Sequence, residues 1–336
     1  MPDKIKNLLF LTDGSPDPNL ASRRLRVYEL IPLIKDTFNS ICENSPRTLI
    51  DIIKIRKKIN ATDIIIIQKE LLPWIIILAL RVFRKPIVYD FDDAVYIRHR
   101  PITMSYVKSY KLLRRFKNIC KHATLVIAGN RILEKNAKKA GAKKTAVIPT
   151  SVQIQKISKP LKRNKKIILG WIGHSINMPF LEALENVFVQ LESEKYKFEL
   201  HVMCNKPPKF IAYSSYKFFK WSEKSENNFL TSIDIGLMPL PDNLYTQGKC
   251  AYKALQYMAY SKPVVVSDVG INSEWTKDCG YASKNNRDIK SALKKLINSR
   301  SLRLKFGENG LMTIKNKFER EKIANQFKNT ILKIIK

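Results

Sequence analysis

Short runs rich in Ile and Val alternate along the chain with longer stretches in which apolar positions recur at helical spacing. Brief apolar runs bounded by polar turns read as strands covered on both faces, the pattern of a parallel sheet with crossover helices. In the first half these are Asn7–Leu11, Asp63–Gln68, Pro86–Asp90 and Thr124–Ala128, with Val147–Pro149 closing the series. From Ser151 to Lys166 the chain turns Lys-, Gln- and Ser-rich, carries Pro160 and loses its periodicity, as an interdomain linker does. The pattern then restarts, with strands at Lys166–Gly170, Phe198–Met203, Ile233–Met238 and Pro263–Ser267 and helices at Phe180–Leu191 and Lys249–Tyr260. Thr313–Lys336 reads as one or two amphipathic helices. The prediction is an α/β chain of two Rossmann-like, doubly wound parallel-sheet domains, residues 1–155 and 156–315, with 316–336 packing back on the first. A ligand is expected in an interdomain cleft, outside the carboxyl ends of the strands.

Composition narrows the function classes. The 336 residues are 45% hydrophobic and 27% charged, which suits two packed cores and excludes a disordered tail protein. Lys and Arg number 61 against 29 Asp and Glu, a net charge of +32 that would suit nucleic acid, an anionic membrane surface or phosphorylated substrates. The basic residues are spread through the chain alongside abundant Ile and Asn, so a compositional bias explains them equally well. Five dispersed cysteines without a C-x-x-C pair argue for a reducing compartment and against a structural zinc site. Lys4 and Lys6 lead directly into the first strand rather than into a signal peptide, and the longest apolar stretch, Leu71–Leu80, contains Pro73 and is too short to span a bilayer. A cytoplasmic protein, soluble or peripheral at the inner face of the cytoplasmic membrane, is expected. Pro73–Lys85 sets Trp74, Ile75, Ile76, Ile77, Leu78, Leu80, Val82 and Phe83 beside Arg81, Arg84 and Lys85. That is either a helix packed on the sheet or one that meets anionic headgroups.

Four constellations and one further histidine carry candidate chemistry. Gly170, Gly173 and His174 follow a strand where glycine lets backbone N–H groups approach a phosphate, although a plain tight turn has the same spacing. After the loop holding Asp242 and Asn243, Gly248 precedes a predicted helix bearing Lys249 and Lys253. Two lysines four apart share a face near a helix amino end and would suit a diphosphate; a solvated lysine face is the competing reading. In the first half, Gly14 and Ser15 follow the first strand and Arg24 and Arg26 open the next helix, either for phosphate or acceptor contacts or for pairing within the domain. Asp90, Asp92 and Asp93 form an acidic turn, read as shaping the cleft and bonding acceptor hydroxyls in preference to holding a cation. His99 follows that turn, within reach of the cleft.

The run GKCAYKALQYMAYSKPVVVSDVG resembles the donor-binding region of GT-B glycosyltransferases of the family 4 type. SRRLRVYEL, IQKELLP, KPIVYDFDDAVY, VIAGNRILEKNA and VIPTSV resemble the first domain of the same family, in the same order. The resemblance implies a GT-B fold and retaining transfer of a sugar from a nucleoside-diphosphate sugar to a glycan or lipid-linked hydroxyl acceptor, in bacterial surface polysaccharide assembly. It implies no cofactor, no metal and no specific nucleic acid. Lys253, with Lys249 beside it, falls where relatives bind phosphate. Gln256 and Gly248 stand where relatives carry two glutamates for ribose and sugar, a departure for which either Asp242 or Asn243 in the preceding loop would substitute. Asp92, Asp93 and His99 are the catalytic candidates on the acceptor side. A nucleic-acid-binding protein, a sugar-nucleotide epimerase and a catalytically silent relative are the alternatives.

Overall fold

The computed structural model describes residues 5–14, 21–100, 105–154 and 166–335. The chain divides into two compact units. One comprises Met1–Ser151, Gln247–Cys250 and Arg320–Lys336, and the other Val152–Thr246 and Ala251–Glu319. Of the expected linker, residues 155–165 lie outside the described residues.

The first unit is built on strands β1 (Lys6–Thr12), β2 (Phe38–Asn44), β3 (Ile64–Gln68), β4 (Ile87–Phe91), β7 (Leu125–Ala128) and β8 (Thr145–Val147), with a short antiparallel hairpin of β5 (Ile97–Arg100) and β6 (Ser105–Lys108) beside them. The six-stranded sheet has the order β2-β1-β3-β4-β7-β8, and all its pairs are parallel. β3, with four consecutive isoleucines, is buried along its whole length because helices cover both faces. Helix Arg320–Ile335 belongs to this unit and sets Ile323, Phe327 and Ile331 against Phe10, Val27 and Ile34.

The second unit repeats the architecture with β9 (Ile167–Ile172), β10 (Phe198–Cys204), β11 (Tyr216–Lys220), β12 (Ile235–Met238), β13 (Val264–Ser267) and β14 (Gly280–Ser283), in the order β11-β10-β9-β12-β13-β14. All its strand pairs are parallel too. Chain order reverses beside β1 in one sheet and beside β9 in the other, so each has a switch point of the kind at which open α/β sheets bind ligands. The expected helix Phe180–Leu191 is two helices, Met178–Glu182 and Glu185–Ser193, broken at Ala183 and Leu184.

Candidate active site

At the switch point of the second unit, β9 leads into Gly173 and β12 into the loop that carries Asp242. A Cβ on Gly173 would lie 2.5 Å from Trp171 Cη2 and 3.0 Å from Lys253 Cε, so glycine is what lets the turn close on these two side chains. The Lys253 ammonium stands 5.5 Å from the centre of the Trp171 ring, within cation–π range. Helix Tyr252–Ala259, which carries Lys253, is fixed by Tyr257. The buried Tyr257 hydroxyl accepts from Ile172 N at 3.0 Å and donates to Leu237 O at 3.2 Å, tying the helix to both β9 and β12. Burial pushes that hydroxyl's pKa above its ordinary value. His174 is exposed beyond the turn and its Nδ1 accepts from Ile176 N at 3.3 Å; Asp242 is exposed in its loop.

Three expectations change here. Gly170 lies inside β9 rather than in the turn, and a Cβ there would come within 2.4 Å of Ile233, so packing rather than phosphate binding demands glycine. The Gly173 N–H is already used, donating to Met203 O at 3.0 Å. The predicted helix starts at Tyr252, not Lys249, because Ala251 takes a left-handed conformation (φ 48°) and ends the regular backbone there. Lys249 and Lys253 therefore do not share a helix face. Gln256, 8% exposed, donates from Nε2 to Glu226 Oε1 at 2.9 Å, and Glu226 Oε2 accepts from Trp221 Nε1 at 2.8 Å.

In the first unit, the carboxyl ends of β3 and β4 gather the charged residues. Arg26 sits in the π-helical turn Arg24–Tyr28 and forks onto Asp90: its Nε donates to Oδ2 at 2.8 Å and its Nη2 to Oδ1. Its Nη1 reaches Ile148 O at 3.1 Å and Thr150 Oγ1 at 3.2 Å. Burial alone would lower the Arg26 pKa, but the Asp90 charge and hydrogen bonds outweigh it and hold the guanidinium protonated. Burial pushes the Asp90 carboxyl up against the pull of Arg26. Arg24 pairs with Glu29 at 3.2 Å. For both arginines this is the internal-pairing reading, and for Arg26, 8% exposed, it replaces the expected phosphate or acceptor contact.

Asp92 Oδ1 accepts from Ser22 Oγ at 2.7 Å, and Ser22 in turn accepts from Gln68 Nε2 at 2.9 Å. Asp93 pairs with Lys69 at 2.7 Å and with Lys249 at 3.6 Å. Burial would raise the Asp93 carboxyl, but Lys249 and Lys69 hold it well below the ordinary carboxylate range. Lys69 itself has a left-handed backbone (φ 64°) directly after β3. Residues Gln247–Cys250 are part of this unit through Asn130, which is fully buried. Asn130 Oδ1 caps helix Arg131–Lys139 by accepting from Ile132 N and Leu133 N at 2.9 Å, while Nδ2 donates to Gly248 O at 3.1 Å and Lys249 O at 3.2 Å. A Cβ on Gly248 would lie 2.8 Å from Ala94 Cβ, so its surroundings are filled by protein, which corrects its expected donor-side place. Gly14 is exposed after β1. Ser15 lies outside the described residues, as does the side chain of His99 on β5. Among the described residues no group of three or more His, Cys, Asp or Glu is placed to hold a metal ion.

No protein-family model matches the chain, and no curated protein matches it in sequence. Solved structures do match in shape. HepE from Anabaena in complex with UDP-glucose is 14% identical, with 98% of this chain and 100% of that one covered at a TM-score of 0.73. A glycosyltransferase from Rickettsia africae is 12% identical over 99% of both chains, with a TM-score of 0.71. Sucrose-phosphate synthase from Thermosynechococcus elongatus is 12% identical over 98% of this chain and 99% of that one, at 0.68. This chain has the GT-B fold. Within that fold, Gly173 and Lys253 are brought together by the second unit, and Asp92 and Asp93 by the first. Trp171, Glu226, Ser22, Lys69 and Asn130 complete these clusters and were not among the sequence candidates. Lys69 and Asn130 each follow the end of a central strand, a positional signal that the sequence does carry.

Proposed function

We propose that this GT-B chain is a glycosyltransferase that moves a sugar from a nucleoside diphosphate to a hydroxyl of a glycan or lipid-linked acceptor, in cytoplasmic assembly of a surface polysaccharide. The carrying observation is Lys253 held over Trp171 against the Gly173 turn, at the switch point of a sheet where α/β proteins take nucleotides. In the reaction, the bond from the anomeric carbon to the diphosphate oxygen breaks, a bond to the acceptor oxygen forms, and the proton of the acceptor hydroxyl passes to the leaving diphosphate. Lys253 and the amino end of its helix supply the positive charge that the leaving diphosphate needs, so this reading requires no cofactor. HepE has been solved with UDP and glucose, and the pneumococcal transferase GtfA with UDP and GlcNAc, which makes a uridine nucleotide the first donor to try.

Asp93, paired to two lysines, is too weak a base to take the acceptor proton and instead anchors the turn after β4. Asp92 then faces the acceptor side. The retained configuration implied by the family resemblance is read from the anomeric product by NMR. Titration calorimetry with UDP tests the donor site: Lys253→Ala should weaken binding about tenfold or more, roughly 1.4 kcal/mol. Unchanged affinity in a variant that melts as the parent does would remove Lys253 from the site. A second reading is favoured by Gln256, which carries no carboxylate and whose amide is bonded to Glu226. It is a relative that binds the nucleotide sugar without turnover, and it predicts UDP binding with no sugar transferred.

A further inference from the structure

Helix Trp74–Val82 has two apolar faces. Ile76, Ile77 and Leu80 are fully buried, while Trp74, Ile75, Leu78 and Val82 form a stripe on the opposite side and are 56%, 41%, 37% and 78% exposed. A soluble surface helix presents polar residues there, and a contiguous exposed apolar stripe marks an interaction surface. Two helices flank this one. Helix Leu49–Ala61 exposes Leu49, Ile50 and Ile53, followed by Lys54, Arg56 and Lys57. Helix Tyr110–His122 turns Tyr110, Arg114, Lys117 and Lys121 outward at helical spacing, with Tyr110 82% exposed.

An open groove of about 790 Å³ runs between Trp74 and that basic stripe, and no Asp or Glu lines it. Indole and tyrosine rings at the boundary, aliphatic side chains beyond them and cations lining a groove are the chemistry of the bilayer interface. Each Lys or Arg near an anionic leaflet adds to the attraction. A second copy of this chain would bring an equally basic face against the first, and nucleic acid offers no partner for exposed Ile, Leu and Val.

We propose that the first unit docks on an anionic phospholipid bilayer, with the Trp74–Val82 stripe inserted at the headgroup boundary and the cations of helix Tyr110–His122 on lipid phosphates. The proposal stands on surface chemistry and does not depend on the transferase reading.

The test is co-sedimentation of the full chain with phosphatidylcholine vesicles and with vesicles containing about one-third phosphatidylglycerol. Binding at least about tenfold tighter to the anionic vesicles is expected, weakened at about 0.5 M salt, where the Debye length falls below roughly 5 Å. Leu78→Glu with Val82→Glu, and separately Arg114→Glu with Lys117→Glu, should each lower binding about tenfold. All four side chains are exposed or border solvent, so melting curves should match the parent. Equal pelleting with both vesicle types, or binding kept by both variants, would overturn the proposal. So would dimerisation by sedimentation velocity that Leu78→Glu abolishes while vesicles pellet nothing.

Discussion

Gln256 illustrates how one position is decided by its neighbour. The resemblance places a glutamate there, but the amide donates 2.9 Å to Glu226, which also accepts from Trp221. A second carboxylate at 256 would face the first, and like charges that close oppose each other's ionisation. Gln256→Glu is therefore expected to destabilise the protein by about 1–3 kcal/mol, and the swapped pair Gln256→Glu with Glu226→Gln to recover most of that. Urea unfolding of the three proteins checks it; equal loss in the single and the swapped variants would break the pairing argument. Arg26 teaches the same lesson. Nothing along the sequence told a phosphate-binding arginine from one forked onto Asp90, since the partner lies 64 residues away.

At the scale of elements, the central strands were legible because burial on both faces forces an uninterrupted apolar run, as in Ile64–Gln68. β2 and β11, FNSICEN and YKFFK, were missed because each is the edge of its sheet and meets solvent, so polar residues interrupt the run. β14, GYAS, at the other edge of the second sheet, escaped for the same reason. The start of the helix after Gly248 was misplaced because the feature that sets it, a left-handed Ala251, has no sequence mark. What draws residues 248–250 out of the helix is Asn130, whose side chain satisfies two helix N–H groups and two carbonyls at once. Asn130→Ala should cost about 2–4 kcal/mol, through a lost cap and two unpaired carbonyls. Chemical denaturation measures it; a loss near zero would mean that water replaces the amide.

For the whole molecule, the last helix is the informative element. Arg320–Ile335 completes the core of the first unit although the residues just before it belong to the second, and Ile331 is fully buried there. Ile331→Ala should destabilise by about 2–5 kcal/mol. Differential scanning calorimetry should show the loss in the transition of the first unit, since a two-unit chain need not melt as one. A uniform shift of every transition would contradict this placement.

The sequence by itself determined the class of architecture and the central strands, because local periodicity is written in neighbouring residues. Only the tertiary structure decided that Arg26 is spent on Asp90, that Lys249 pairs with Asp93 while Lys253 stays over Trp171, and that Gly248 is packed against Ala94. Those outcomes depend on which side chains meet across long separations, and folding brings such partners together by rules that no local pattern records.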